Sequence, residues 1–451
     1  MKQLFAVIFV VLVLLSGVAK MLQPHVGATG KIDLVWTSDD NPARRDQIKL
    51  FNDLNPKYDC VLDPGNSQLQ KVVVQSLAGV GPDLIDCYSP AQLASYVNSG
   101  IAWDVTDAMK ARGIEVQKEV WSIGTASSMK DGRVYGFPTN VSVNALWLNK
   151  DIFAKEGIPL PKGPWTWDEF IPLAKKLTKR DAQGTITQYG MLLDWYQWTQ
   201  FVHQWGGHIY NADGTRCTLD SPEAAAGVQF LHDLVYKEHV LPSPSEQDAM
   251  ATTGGWGSGT ITLFQGGHSA MALGGRWWLC TIRKQQDLHL AAVECPHPAK
   301  GLRIFDGSGR STLINAKSKK REQAIVFLEY LRSKQYTDMI NHQADGLGPT
   351  QKYCMGDDYL HDPAYPHEDF NDVWRSVMPY GVPNEISPYV TSQVADVIIQ
   401  KQIDLIKADQ KPVAKAMADA AAQVNAEIKK AITVDPVLRA RYLKATGGKL
   451  P

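Results

Sequence analysis

The stretch with the most chemistry to offer is "ALGGRWWLC", residues 272–280, where Arg276, Trp277 and Trp278 follow a Gly-Gly pair. An indole covers about 150–250 Å² and fixes only two torsions, so it is a rigid flat surface for an apolar partner. A pyranose ring is such a partner, with apolar C–H faces and a rim of hydroxyls that needs hydrogen-bonding side chains. Adjacent helical positions point about 100° apart, so Trp277 and Trp278 cannot face one ligand together. At most one of the two can then be a platform; the competing reading places both in the core. A second aromatic run, "DWYQWTQFVHQW", holds Trp195, Tyr196, Trp198 and Trp205. Trp195 and Trp198 share a helix face, which favours a buried stripe, yet Asp194 to Tyr196 is a strand-to-helix start where a cleft residue would emerge. Trp256 in "GGWGSG" would either close over a ligand or pin a loop.

Polar partners are expected at strand ends. Trp36, Ser38, Asp39 and Asp40 follow the first strand, and Tyr88 and Ser89 follow the third. A carboxylate accepts two hydroxyls, each charged hydrogen bond contributing about 1.5–3 kcal/mol; alternatively Asp39 or Asp40 caps the next helix. Asn140, just past Pro138, and Arg310, in "DGSGRST", are further candidates. Other chemistries lack their residues. There is no CxxC, HExxH, GxSxG or P-loop ending in GK[ST]. "ECPHP" sets Cys295 two residues before His297, with His289 upstream, and reads as a strand-end cysteine and a loop histidine. Neither metal nor cofactor is expected. The adjacent acids of "TWDEF" are accounted for by a capping box from Thr166 to Glu169.

The elements that must position these residues alternate. "KIDLVWTS", "YDCVLD" and "LIDCYS" are strands separated by amphipathic helices with short links, which implies parallel pairing and right-handed crossovers. Ligands of such sheets bind outside the carboxyl ends of the strands. "VSVNALWLN" resumes as a strand after Gly136 and Pro138 and carries the chain into a second lobe. "SPEAAAGVQFLHDLVYK" is a helix, "GRSTLINAKSKKREQAIVFLEYLRS" a strand and a helix, and the tail from "PYVTSQVADV" reads as helices alone.

Composition bounds the rest. A chain of 451 residues exceeds what one core holds, so two domains are expected. With 46 lysines and arginines against 47 aspartates and glutamates, no net field draws it to nucleic acid or an anionic surface. "MKQLFAVIFVVLVLLSGVAK" opens with one lysine, followed by an apolar run and then small residues, the pattern of a secretory signal over residues 1–28, with an uncleaved anchor as the alternative. No lipid-attachment cysteine follows it. The six cysteines would allow one bridge in an oxidising compartment, with Cys60–Cys87 and Cys280–Cys295 the nearest pairs in sequence.

The succession "FNDLNP", "LAGVGPDLID", "GRVYGFP", "LNKDIFAKEGI", "TWDEF", "QWGGHIYNADG", "ALGGRWW" and "INAKSK" across residues 31–350 resembles the extracellular solute-binding proteins of bacterial ABC importers, in the sugar-binding family that includes the maltose-binding protein. The resemblance implies an α/β, two-lobed periplasmic-binding-protein fold with hinge strands and a ligand cleft between lobes. Residues 29–138 and 305–350 would form lobe 1, and residues 139–304 and 351–451 lobe 2. It also implies an indole under a sugar at the Gly-x-Trp of Gly275 to Trp277, with Arg276 where the family often has proline. A membrane permease of an ABC transporter would receive the closed monomer in the periplasm or cell envelope. The rival readings are an exported carbohydrate-active enzyme, which needs two carboxyls facing one bond, and a receptor for another cargo such as a polyamine, which would want more acids around the aromatics.

Overall fold

The computed structural model describes residues 30–451 apart from 66–68, 251–258 and 286. The N-terminal apolar run and Trp256 therefore lie outside the described residues. Nine strands matter for the site: β1 Ile32–Thr37, β2 Tyr58–Asp63, β3 Leu84–Cys87, β4 Gly136–Val143, β5 Ala145–Asn149, β6 Ile186–Leu192, β7 Ser269–Gly274, β8 Leu290–Val293 and β9 Phe305–Ile314.

In the first sheet β1 lies between β2 and β3 and pairs with both in parallel, as the strand-helix-strand reading expects. β9 then runs antiparallel to β3. The second sheet has the order β8-β5-β7-β6, with the two-residue strand Lys179–Arg180 at its edge. β7 is parallel to β6 and antiparallel to β5. Each sheet has its own core. Leu34, Trp36 and Phe51 pack with Phe327 and Tyr330 on the first; Trp147, Trp167, Phe201 and Met271 pack on the second, together with the tail helices Ser392–Lys407 and Val413–Val434. At roughly 25 cal/mol per Å² of apolar surface, these aromatics dominate the burial.

Local rules account for the element ends. Ser221 caps helix Pro222–Tyr236, whose first residue is the proline that such a start favours. Thr166 and Glu169 form the expected capping box at helix Trp167–Leu177. The structure departs from the expected single strand "VSVNALWLN". It breaks at Asn144, whose backbone N–H donates to the Asp306 carbonyl at 2.9 Å. β4 before the break stays with the first sheet, whereas β5 after it belongs to the second.

β4 and β9 pair antiparallel from Gly307 opposite Val143 to Leu313 opposite Gly136, with a bulge between Arg310 and Ser311. The second passage of the chain thus lies against the first. All six cysteines are free, so no bridge forms. The Cys295 thiol accepts from the Gln200 amide at 3.0 Å, and Cys280 donates to the Gln343 carbonyl at 3.1 Å. Those partners lie in different surroundings, which is why proximity in sequence misleads. Among the described residues, no helix is long and apolar enough to cross a membrane.

Candidate functional site

The carboxyl ends of β1 and β3 gather a charged network. The Asp39 carboxylate accepts from Arg44 at 3.0 Å and from the Tyr88 hydroxyl at 2.8 Å, and it pairs with Arg310 at 3.4 Å. Burial works against its charge, but Arg310 and Arg44 overcome this and hold the carboxyl down at about 2. Asp39 remains part-exposed, an ionised acceptor fixed in place. Behind it, Arg44 also pairs with Asp345 at 2.5 Å, and Arg310 donates to the Thr139 hydroxyl at 2.6 Å. Tyr88 is likewise partly exposed; burial, then the nearby Asp86, raises its phenol.

The floor beside this network is the β4–β9 ladder. Along β4, Asn140 and Ser142 are partly exposed while Val141 and Val143 are buried, so the period of two sends the polar pair to one face. Ser308 stands opposite Ser142 and is exposed; Arg310 stands opposite Asn140. The Asn140 amide donates to the Asp345 carbonyl at 2.6 Å.

The second sheet brings aromatics to the same place, again at the carboxyl ends of parallel neighbours, β6 and β7. The glycine pair now has a cause. A Cβ on Gly274 would stand 2.5 Å from the Trp278 ring, and one on Gly275 would stand 2.5 Å from the Trp277 indole nitrogen and 2.4 Å from the Ser142 hydroxyl. Each glycine thus makes room for one indole, and the second seats Trp277 against the floor. Trp278 is 1% exposed, in the core; Trp277 is only partly buried. Tyr196, in the turn after β6, is 62% exposed. Burial by the surrounding protein nevertheless raises its phenol, followed by Asp194 and Asp306.

Below Tyr196, buried His203 lies between Asp306, 3.2 Å from Nδ1, and Glu385, 3.4 Å from Nε2. Burial opposes its proton, but the Asp306 hydrogen bond and the facing Glu385 carboxylate prevail and push it up to about 9. Glu385 also accepts from His208 at 2.6 Å and from the Tyr210 backbone N–H at 3.0 Å. Burial raises this carboxyl, and His203, Tyr210 and His208 bring it down to about 2.

Of the sequence candidates, the structure gathers Asp39, Tyr88, Asn140 and Arg310 at one junction, with Trp277 rooted on its floor and Tyr196 on the neighbouring strand end. Others are elsewhere. Trp36 is fully buried and donates its indole N–H to Asp86 at 2.7 Å. Ser38 is also buried and donates to Asp86 at 2.5 Å, so these two brace the network instead of facing a ligand. Asp40 is exposed. Ser89 accepts from the Gln92 N–H as a helix cap. Trp195 is buried in the second core, as its shared face with Trp198 favoured. Arg276 is 1% exposed and turns its guanidinium to two protein carbonyls and an asparagine, so it is buried in protein instead of facing a ligand. Sequence reading missed Asp86, Arg44, Asp345, Ser142 and Ser308. The alternation of Ser142 with valines, and a carboxylate inside the apolar strand "LIDC", were the available signals. Two open surface concavities of about 680 and 650 Å³, one along helix Ser392–Lys407 and one beside His208 and Glu385, contain none of the gathered residues.

Residues 37–338 match the family model of the bacterial extracellular solute-binding protein. An arabinooligosaccharide-binding protein of Bacillus subtilis is 23% identical over 353 residues, covering 74% of this chain and 77% of that protein. Among solved structures, an ABC substrate-binding protein from Listeria monocytogenes in complex with cycloalternan superposes with a TM-score of 0.73 at 20% identity, covering 88% of this chain and 98% of its own. A solute-binding protein of an ABC transporter from Thermotoga lettingae, bound with α-D-tagatose, gives 0.72 at 21% identity over 88% of this chain and 100% of its own.

Proposed function

The chain belongs to the bacterial extracellular solute-binding protein family, and from that premise and the geometry we propose that it binds a sugar in the gap between two lobes and closes on it by hinge motion. The lobes divide at 138/139, 304/305 and 350/351, with β4 and β9 as the crossing strands. What supports the reading above all is Gly275, whose Cβ would meet both the Trp277 indole and the Ser142 hydroxyl, on the same ladder from which Arg310 pairs with Asp39. A flat ring and ionised or hydroxyl-bearing acceptors on adjoining walls are what a sugar requires. The relatives' carbohydrate ligands support the same class.

Trp277 stacks under the ring in this reading, Tyr196 meets it from the second lobe, and Asp39, Tyr88 and Asn140 take hydroxyls. Arg310 fixes Asp39 and contributes no ligand contact of its own. Closure follows because the ligand touches both lobes only in the closed state, which supplies the differential affinity. The closed monomer then docks on an ABC transporter permease outside the cytoplasmic membrane. No bond is broken, so the protein is a receptor and not an enzyme.

The test is a thermal-stabilisation screen of the purified protein against mono- and oligosaccharides, including D-tagatose, cycloalternan and arabino-oligosaccharides. A ligand that binds only the folded state adds about 2.7 kcal/mol at 100 times its Kd. A clear upward shift with at least one sugar is expected, lost in Trp277→Ala. Stabilisation by no sugar, or full stabilisation of Trp277→Ala, would overturn the reading.

A further inference from the structure

Arg276, Cys280 and Arg283 follow one another at i, i+4 and i+7, the spacing that lines up one face of a helix. All three reach the same target, the carboxyl end of helix Lys334–Gln343. The last four carbonyls of a helix have no partner within it and carry the negative end of its dipole. Arg276 donates from Nη2 to the Asn341 carbonyl at 3.1 Å and from Nη1 to the Gly346 carbonyl at 2.8 Å. Cys280 takes the Gln343 carbonyl, and Arg283 takes that of His342 at 2.5 Å. Three consecutive carbonyls of the last turn are thus engaged by one stripe, that of Asn341 in addition to the Ala344 N–H it accepts at 3.2 Å. The arginines are themselves fixed from behind. Arg276 donates from Nε to Asn371 at 2.9 Å, and Arg283 forms a fork with Glu368 through Nε at 2.9 Å while lying 3.7 Å over the Tyr365 ring.

The gripped helix belongs to the first body. Its Tyr336 and Ile340 pack in the first core, and the residues just beyond it are held by Arg44 at Asp345 and by a Val141–Leu347 backbone bridge to β4, 3.0 and 2.8 Å. The gripping stripe belongs to the second body, and Trp277 is the residue next to its first member. We infer that Arg276 is a positioning residue, which with Cys280 and Arg283 clasps the turn bearing Trp277 to the first lobe, so that this turn is the pivot of closure. Trp277 then keeps a constant relation to Asp39 and Asn140 while Tyr196 travels. The inference rests on the sugar-platform reading of Trp277 for its functional meaning, but the clasp is tested without any sugar.

The experiment uses the full chain in three variants. Arg276→Gln removes the charge and the guanidinium, Arg276→Lys keeps the charge but spans fewer acceptors, and Asn371→Ala deletes the acceptor of the Arg276 Nε together with the amide's own bonds to the Leu360 and Glu368 carbonyls. Amide hydrogen exchange of the sugar-free protein reads Val141 and Leu347, and small-angle X-ray scattering reads the spread of lobe angles. Melting curves confirm that each variant is folded. Arg276→Gln is expected to speed exchange at both amides about tenfold or more and to broaden the scattering distribution to larger dimensions. Arg276→Lys and Asn371→Ala should move both readouts less, in the same direction, which keeps the test open if Arg276→Gln does not fold. Unchanged exchange and scattering in the folded variants would overturn the clasp. Trp277→Ala, probed with D-tagatose, cycloalternan and arabino-oligosaccharides, separates the two readings: if it keeps their stabilisation while Arg276→Gln loosens the hinge, the platform falls and the clasp stands.

Discussion

At the scale of single residues, neighbouring tryptophans have different surroundings, Trp278 in the core and Trp277 partly exposed. Trp278 fills the second core, and Trp278→Ala is expected to cost about 3–5 kcal/mol in denaturant unfolding. Trp277→Ala removes an indole that only borders that core, edge-on to Trp278 at 6.2 Å, so stability should fall less than in Trp278→Ala while sugar affinity drops at least tenfold by calorimetry. Gly275→Ala is a finer probe. Its new methyl would press on both the Trp277 indole and the Ser142 hydroxyl, and the indole is the part able to swing away. The expected result is lost affinity with a shift in stability of about 1–3 kcal/mol. That the two could not face the same way was legible from helical geometry, and the family's Gly-x-Trp pattern pointed to Trp277 as the more open one. The brace around Asp39 was not, because Arg44 and Arg310 meet it from positions 5 and 271 residues away, and Asp345 reaches Arg44 across 301. Trp36 and Ser38 were misjudged for a related reason: a strand end marks where a cleft opens, but not which way each side chain turns.

At the scale of elements, parallel β1, β2 and β3 were readable because helices and strands alternate with short links. The crossing ladder was harder. β4 and β5 form one unbroken apolar-rich run in sequence, and only the Asn144 bond to Asp306 reveals two strands in two sheets. The ladder admits little bulk. A Cβ on Gly136 would fall 2.1 Å from the Thr312 carbonyl oxygen, so Gly136→Ala must part the strands at their first-sheet end. It is expected to lower unfolding stability by about 1–3 kcal/mol, with the sugar affinity of the folded fraction retained, since neither wall of the gap carries that position. Equal stability of Gly136→Ala and the parent would show that the ladder bends freely there.

For the whole molecule, ionisation sets the pH range of stability. His203 carries its proton up to about 9 when folded against an ordinary 6.5, so its contribution is complete below pH 6.5 and disappears as pH rises through 9. Asp39 and Glu385 ionise near 2 when folded, against ordinary values of 3.8 and 4.5. Their contribution is complete above about 4.5 and disappears as pH falls toward 2. The melting temperature should therefore be highest between pH 4.5 and 6.5 and decline on both sides. His203→Gln should flatten the alkaline limb, worth on the order of 3 kcal/mol in the parent, and leave the acid limb in place; an alkaline limb of the same slope would mean that His203 is not its source. Nothing in the sequence pointed to this cluster, since His203, Asp306 and Glu385 come from three separate segments.

The free thiols carry a consequence for handling. Burial lifts Cys280 and Cys87 to about 12, so at neutral pH hardly any thiolate exists to attack an oxidant or an alkylating agent. The folded molecule is then expected to keep these thiols unalkylated at neutral pH until it unfolds, which thiol titration with and without denaturant would read.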